Sequence, residues 1–222
     1  MVGPDPRTPR RVTGLTLALR QVGGETGMPL PAAIAAARPP RRVEYVAGRM
    51  AAQVALHRLT GQAALVGMGP DRLPVWPEGI IGSISHNRQN AVALAACARR
   101  YHAVGVDIET LMDAVTAREV LPVLGPVGAE DPLNLTLAFS AKESLFKALY
   151  PHVGFFGFED ARFDPPCALV LTRDLSPDWP AGRRFTVNCR IGHGRVLTWV
   201  ALQARNVAPP STYRSAMVIC PA

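Results

Sequence analysis

The chain has 222 residues, 48% of them apolar, which suits one medium domain or two closely packed small ones and excludes a disordered chain. Its 24 basic against 17 acidic residues leave a net charge of +7, which fits an acidic partner such as nucleic acid, lipid headgroups, a polyphosphate or an acidic protein, and equally a solvated basic face. No run approaches the roughly 18 apolar residues of a membrane span, and residues 1–11 hold three prolines and no apolar leader core, so a cytoplasmic protein without a membrane span is expected.

Pro29, Pro31, Pro39 and Pro40 hold any helix in the alanine-rich stretch 31–37 to a turn or two. Over residues 41–59, Val43, Val46, Ala47, Met50, Val54 and Ala55 keep the i, i+3, i+4 spacing of a helix. Arg41, Arg42, Arg49 and Arg58 fall on its other faces, and Gly61 ends it. Pro70, Pro74 and Pro77 make 67–79 an irregular extended approach. Residues 80–85 and 91–97 read as a hairpin around His86-Asn87-Arg88-Gln89-Asn90, with a third strand over 103–108.

The second half repeats this plan loosely. A helix over 135–150 precedes strands near 155–163, 168–172, 184–191 and 195–203, the last two joined through Gly192-His193-Gly194. The halves share no sequence identity, so duplication rests on the helix-then-strands order alone. Residues 205–222 read as a poorly anchored tail. Cys97, Cys167, Cys189 and Cys220 show neither close pairing nor zinc-ligand spacing and read as ordinary reduced thiols.

Three constellations carry chemistry. Val104-Gly105-Val106-Asp107-Ile108-Glu109 ends an apolar strand in two carboxylates on one face, a pair that suits a hard cation such as magnesium and equally a strand running into solvent. On the second helix Glu143 and Lys147 are one turn apart, either as an ordinary ion pair or as a third carboxylate beside a phosphate-binding cation. Gly82-Ser83-Ile84-Ser85-His86 brings a hydroxyl and an imidazole to a turn, either to reach a ligand or simply to be solvated. No Gly-rich phosphate cradle occurs, so side chains must hold any phosphate: Arg41, Arg42, Arg49, Arg72, Lys142 and Lys147 are the candidates. The last two are the chain's only lysines.

Together with Gly48-Arg49-Met50-Ala51-Ala52, the Arg72-to-Gly79 approach and Phe139-Ser140-Ala141-Lys142-Glu143-Ser144-Leu145-Phe146-Lys147, these pieces resemble the signature of surfactin- and enterobactin-type 4′-phosphopantetheinyl transferases. Residues 41–150 are most similar to the enterobactin-synthetase branch, which serves siderophore assembly. The resemblance implies an α+β fold of two similar subdomains related by a pseudo-twofold, residues 1–102 and 103–204, with coenzyme A in the cleft between them. It implies Mg2+ held by Asp107, Glu109 and Glu143, nucleotide contacts from Arg42, Arg49, Arg72, Ser85 and His86, and Lys142 and Lys147 near the phosphates. Glu143 then stands as metal ligand, general base or both. The stretch 110–137, where family members carry a carrier-binding helix and loop, is short here and rich in Pro, Gly and Leu.

The reaction so implied moves phosphopantetheine from coenzyme A to a serine of an acidic acyl or peptidyl carrier protein, with the enzyme a monomer. Carrier contacts are expected through the basic surface or through Leu121, Leu124 and Leu133. A metal-dependent nuclease would place acid and lysine as E-x-K on one strand, unlike the helical Glu143 and Lys147. A nucleic-acid-binding module would need aromatics interleaved with arginines, which the chain lacks.

Overall fold

The computed structural model describes residues 14–23, 27–125 and 127–204. The expected tail, 205–222, lies outside the described residues. The chain is α+β, and each half sets one long helix on a three-stranded antiparallel sheet.

In the first half, β1 (Leu15–Gln21) is followed by the single turn α1 (Ala32–Ala35) and by α2 (Pro39–Thr60). The prolines that confine α1 also start α2, because the first helical turn needs no N–H from Pro39 or Pro40. Gly61 closes α2 in the left-handed region, at φ 76°, its N–H on the His57 carbonyl. A two-residue ladder, β2 (Gly67–Met68) with β3 (Pro74–Val75), leads to the hairpin of β4 (Ile80–His86) and β5 (Asn90–Cys97). The sheet order is β1-β5-β4. Central β5 is buried on both faces, which is why it is apolar from Ala91 to Cys97 rather than alternating. Ala93 and Ala95 pack on Ala51, Ala52, Ala55 and Leu56 of α2, small against small, so helix and sheet approach closely.

β6 (Tyr101–Thr110) opens the second half, followed by α3 (Ala114–Leu124) and α4 (Pro132–Val153). Asp131 caps α4, accepting the N–H groups of Leu133 and Asn134. β7 (Ala161–Asp164), β8 (Ala168–Leu171) and β9 (Arg184–Thr186) form a small sheet in that order. β10 (Asn188–Gly192) and β11 (Arg195–Gln203) complete the second three-stranded sheet, ordered β10-β11-β6. The β10–β11 turn is closed by His193 and Gly194, both at positive φ, as a tight two-residue hairpin demands.

A further apolar cluster joins the halves: Val92, Leu94 and Ala96 of β5 meet Val104, Val106 and Ile108 of β6 and Leu197 of β11. Val106 also donates its N–H to Ser83 Oγ across 3.1 Å, tying β6 to the neighbouring β4.

Several sequence expectations differ from the structure. The strand expected over 184–191 is two, β9 and β10, separated at Val187 and belonging to different sheets. No strand runs through 155–163: after Gly154 the chain makes a single 3-10 turn, Phe158–Asp160, held where Asp160 accepts the Gly157 N–H and the Arg173 guanidinium, and only β7 is extended. β1 and α3 were not among the expected elements. β1 completes the first sheet along β5, and α3 starts where Asp113 accepts the Thr116 N–H at 2.7 Å.

Candidate active site

β6 and α4 cross so closely that a Cβ on Gly105 would lie 2.0 Å from the Ser144 carbonyl oxygen, so only glycine allows the approach. Asp107 and Glu109, two and four residues further on, share the face of Gly105. Asp107 is 2% exposed and saturated with partners. Its Oδ1 accepts Lys147 Nζ at 2.6 Å and Ser85 Oγ at 2.8 Å, and its Oδ2 accepts Ser140 Oγ at 2.8 Å. Lys147 Nζ also reaches Ser85 Oγ at 2.9 Å and lies 3.9 Å from Glu143.

One ammonium thus faces three carboxylates in a partly dry cleft, and the carboxyls respond. Burial, reinforced by Asp107 and Glu143 and opposed by Lys147, pushes Glu109 up to about 7. Glu143 is raised as well, by burial first, with Lys147 opposing and Asp107 adding to it. The cluster is short of positive charge, the condition a divalent cation relieves. Among the described residues no three His, Cys, Asp or Glu side chains stand close enough to hold a metal as they are.

Beneath Asp107 lies a polar layer that sequence reading passed over. Thr198 of β11 shares hydrogen bonds with Ser140 Oγ at 2.9 Å and Ser144 Oγ at 2.7 Å, and its Oγ1 donates to the Ser140 carbonyl at 2.8 Å. All three hydroxyls are fully buried. Ser140 and Ser144 lie inside the quoted motif and were legible. Thr198 lies in a featureless strand, and only the β11–β6 register, which places it opposite Asp107, reveals it.

The basic side of the cleft comes from α2 and β4. Arg41 Nη1 donates to His86 Nε2 at 2.5 Å, and Glu44 lies 3.6 Å from His86 Nδ1. Burial lowers the pKa of His86 from the usual imidazole range, against the pull of Glu44; Arg41 and Lys147 lower it further, while Asp107 opposes. His86 follows Ser85 on β4, and Ser85 Oγ donates to Asp107 Oδ1, so the imidazole stands one residue from the acid cluster. Arg49 is 7% exposed, stacks over the Tyr45 ring at 4.5 Å and has no partner for its Nε. A buried guanidinium nitrogen without a partner is costly unless something else satisfies it.

Other expected residues are placed differently. Ser85 stands on the opposite face of β4 from His86 and is bonded within the acid cluster. Lys142 does not join Lys147: its ammonium donates to the carbonyls of Leu124 and Phe158, each at 2.7 Å. Burial lowers Lys142 to about 8, Glu159 opposing; it fastens α4 to the end of α3. Arg42 rests on the Ala35 carbonyl at 3.4 Å, and Arg72 is exposed on the β2–β3 turn at φ 67°. Neither touches the cluster. Leu124 is buried in the core, whereas Leu133 is exposed, as are Val115 and Val123 of α3.

Two family models match the chain. The 4′-phosphopantetheinyl transferase N-terminal domain covers residues 30–96 and the 4′-phosphopantetheinyl transferase superfamily model residues 103–187. Enterobactin synthase component D of Salmonella typhi is 41% identical over 150 residues, 64% of this chain and 62% of that protein. Its counterpart in Escherichia coli (strain K12) is 41% identical over 130 residues, 54% of this chain and 61% of that protein. The 4′-phosphopantetheinyl transferase Svp of Streptomyces mobaraensis is 33% identical over 187 residues, 77% of this chain and 76% of that protein. The aligned region thus spans about three-fifths of the enterobactin relatives' length. The models cover both the α2–β5 half and the β6–α4 crossing that holds the carboxylates, and the chain belongs to the 4′-phosphopantetheinyl transferase superfamily.

Proposed function

We propose that this chain transfers the 4′-phosphopantetheine arm of coenzyme A to a serine of an acyl or peptidyl carrier protein, releasing adenosine 3′,5′-bisphosphate, with Mg2+ required. One observation carries the reading: a partly buried cluster in which the single ammonium of Lys147 faces the carboxylates of Asp107, Glu109 and Glu143, with the Arg41–His86 pair at the end of the neighbouring β4. Hard carboxylate oxygens and an excess of negative charge suit magnesium, which Asp107, Glu109 and Glu143 would hold. When bound, the ion supplies charge neutralisation on the pyrophosphate oxygens.

The chain's own residues do the rest. Arg49 offers its unpartnered Nε to the nucleotide, with His86 and Arg41 beside it. Lys147 is poised to offset charge on the leaving phosphate once coenzyme A enters. Glu143, its carboxyl raised by burial, accepts the proton of the carrier serine as that hydroxyl oxygen bonds to the β-phosphorus. The P–O bond to the nucleotide's 5′-phosphate then breaks, and its electron pair leaves on adenosine 3′,5′-bisphosphate. Such displacements depend on positioning and charge rather than covalent intermediates.

The fold reading extends to two subdomains, 1–102 and 103–204, related by a pseudo-twofold, because each half repeats one helix over three antiparallel strands. A carrier would dock beside α3, where Val115 and Val123 are exposed, helped by the net positive charge. We place the enzyme in the cytoplasm as a monomer; among the described residues no helix is long and apolar enough to cross a membrane.

The test is incubation of the full chain with coenzyme A, magnesium chloride and a panel of apo carrier proteins, read by intact mass. A carrier should gain one phosphopantetheine, with an equal amount of adenosine 3′,5′-bisphosphate released, and omitting magnesium should stop the reaction. If no carrier in the panel gains mass, the reading fails; if transfer survives chelation, the magnesium assignment fails alone.

A further inference from the structure

Cys167 and Cys189 are 22 positions apart and unremarkable in sequence, yet the fold brings their Sγ atoms to 3.2 Å. They meet where the chain passes from one sheet to the next. Cys167 immediately precedes β8 of the small sheet, Cys189 sits in β10, and only Val187 separates β9 from β10. The Val187 N–H donates to the Cys167 carbonyl at 2.9 Å, so the two backbones are already docked at this junction. Both thiols are partly exposed, within reach of a small oxidant. The cleft chemistry uses neither, and no other thiol pair occurs among the described residues: Cys97 is buried in β5.

We propose that Cys167 and Cys189 form a modification site, a thiol pair that a peroxide closes into an intramolecular disulfide stapling the β7-β8-β9 sheet to the sheet that carries Asp107. The chemistry balances without a further cofactor. One thiolate displaces hydroxide from the peroxide O–O bond and becomes a sulfenic acid; the second sulfur attacks that sulfur, forming the S–S bond and expelling water. Two thiols lose two protons and two electrons, and the peroxide is reduced to two waters. Closure requires the sulfurs to move from 3.2 Å to a bond of about 2.05 Å.

Burial, with the neighbouring Cys189 sulfur adding to it, pushes the Cys167 thiol up to about 11. Cys167 therefore holds little thiolate near neutral pH. The resulting staple closes a loop across the sheet junction and restricts the unfolded chain, while the Asp107 cluster stays untouched.

The full chain is treated with hydrogen peroxide, alkylated, digested without reductant and mapped by mass spectrometry. A Cys167–Cys189 linked peptide should appear within monomeric protein, with the parent mass lower by two hydrogens. The unfolding midpoint should rise by about 5 °C and return on adding dithiothreitol. Cys189→Ser should show neither link nor rise; if that variant does not fold, oxidised against reduced wild type decides alone. Recovery of both cysteines alkylated, as sulfinic or sulfonic acids, or linked to other cysteines would overturn the proposal, as would a link that leaves the midpoint unmoved.

Discussion

The two halves solve the same packing problem with opposite materials. In the first, α2 meets its sheet through Ala51, Ala52 and Ala55 against Ala93 and Ala95, an apolar contact. In the second, α4 meets β6 and β11 partly through Ser140, Ser144 and Thr198, buried hydroxyls that bond one another and hold Asp107. An apolar interface tolerates small adjustments, whereas a satisfied polar layer fixes one geometry, because any group left unpaired there costs more than the bond contributed. The half with the polar layer is also the half that supplies the carboxylates.

The sharpest way to break this contrast is to add one methyl group to each half. A Cβ on Gly105 would meet the Ser144 backbone oxygen at 2.0 Å, whereas one on Gly48 would meet only the Ile84 Cγ2 side-chain atom at 2.9 Å. Gly105→Ala should therefore cost about 3 kcal/mol or more, or prevent folding, while Gly48→Ala should stay within about 1 kcal/mol because helix propensity offsets the contact. Urea denaturation of both variants measures the difference, and equal losses would remove the asymmetry.

Next in size is Asp107→Asn, which keeps the shape and deletes the charge around which Lys147, Ser85 and Ser140 are arranged. Carrier modification should fall about a hundredfold or more, with near-UV circular dichroism unchanged. Turnover near wild type would show that the carboxylate is structural.

The two lysines give the third comparison. Lys147→Ala should lower kcat per folded molecule at least about tenfold and also cost stability, because buried Asp107 loses its ammonium partner. Lys142→Ala should leave kcat per folded molecule near wild type and cost about 1–3 kcal/mol, because the carbonyls of Leu124 and Phe158 lose their donor. The reverse pattern would return Lys142 to the phosphates.

The smallest effect is a pH dependence. Glu109 titrates near 7 in the fold, above its unfolded value. The folded form therefore keeps a proton that the unfolded chain has lost, and stability falls as pH rises from about 4.5 to about 7, then levels off. Glu109→Gln should stabilise the magnesium-free protein by about 1–3 kcal/mol at pH 8, allowing for solvent screening, and by nothing near pH 4. Parallel stability profiles for variant and wild type across that range would show Glu109 to be solvated.

The sequence by itself determined α2 and its Gly61 stop, the β4–β5 and β10–β11 hairpins, α4, and the family, because proline and glycine punctuation and apolar period are local properties. It determined equally that Asp107 and Glu109 share a face, since strand alternation needs no partner. It did not reveal α3, whose cap is one Asp113 side chain in a stretch rich in breakers, and β1 went unread although Leu15, Leu17 and Leu19 alternate. Only the tertiary structure decided that Lys147 belongs to the acids and Lys142 to two carbonyls, that Ser85 faces Asp107, that Thr198 braces the cluster, and that Cys167 lies against Cys189. Each depends on which strand edge or helix face meets which, a matter of register and crossing distance between segments up to about a hundred residues apart, and local spacing holds no record of it.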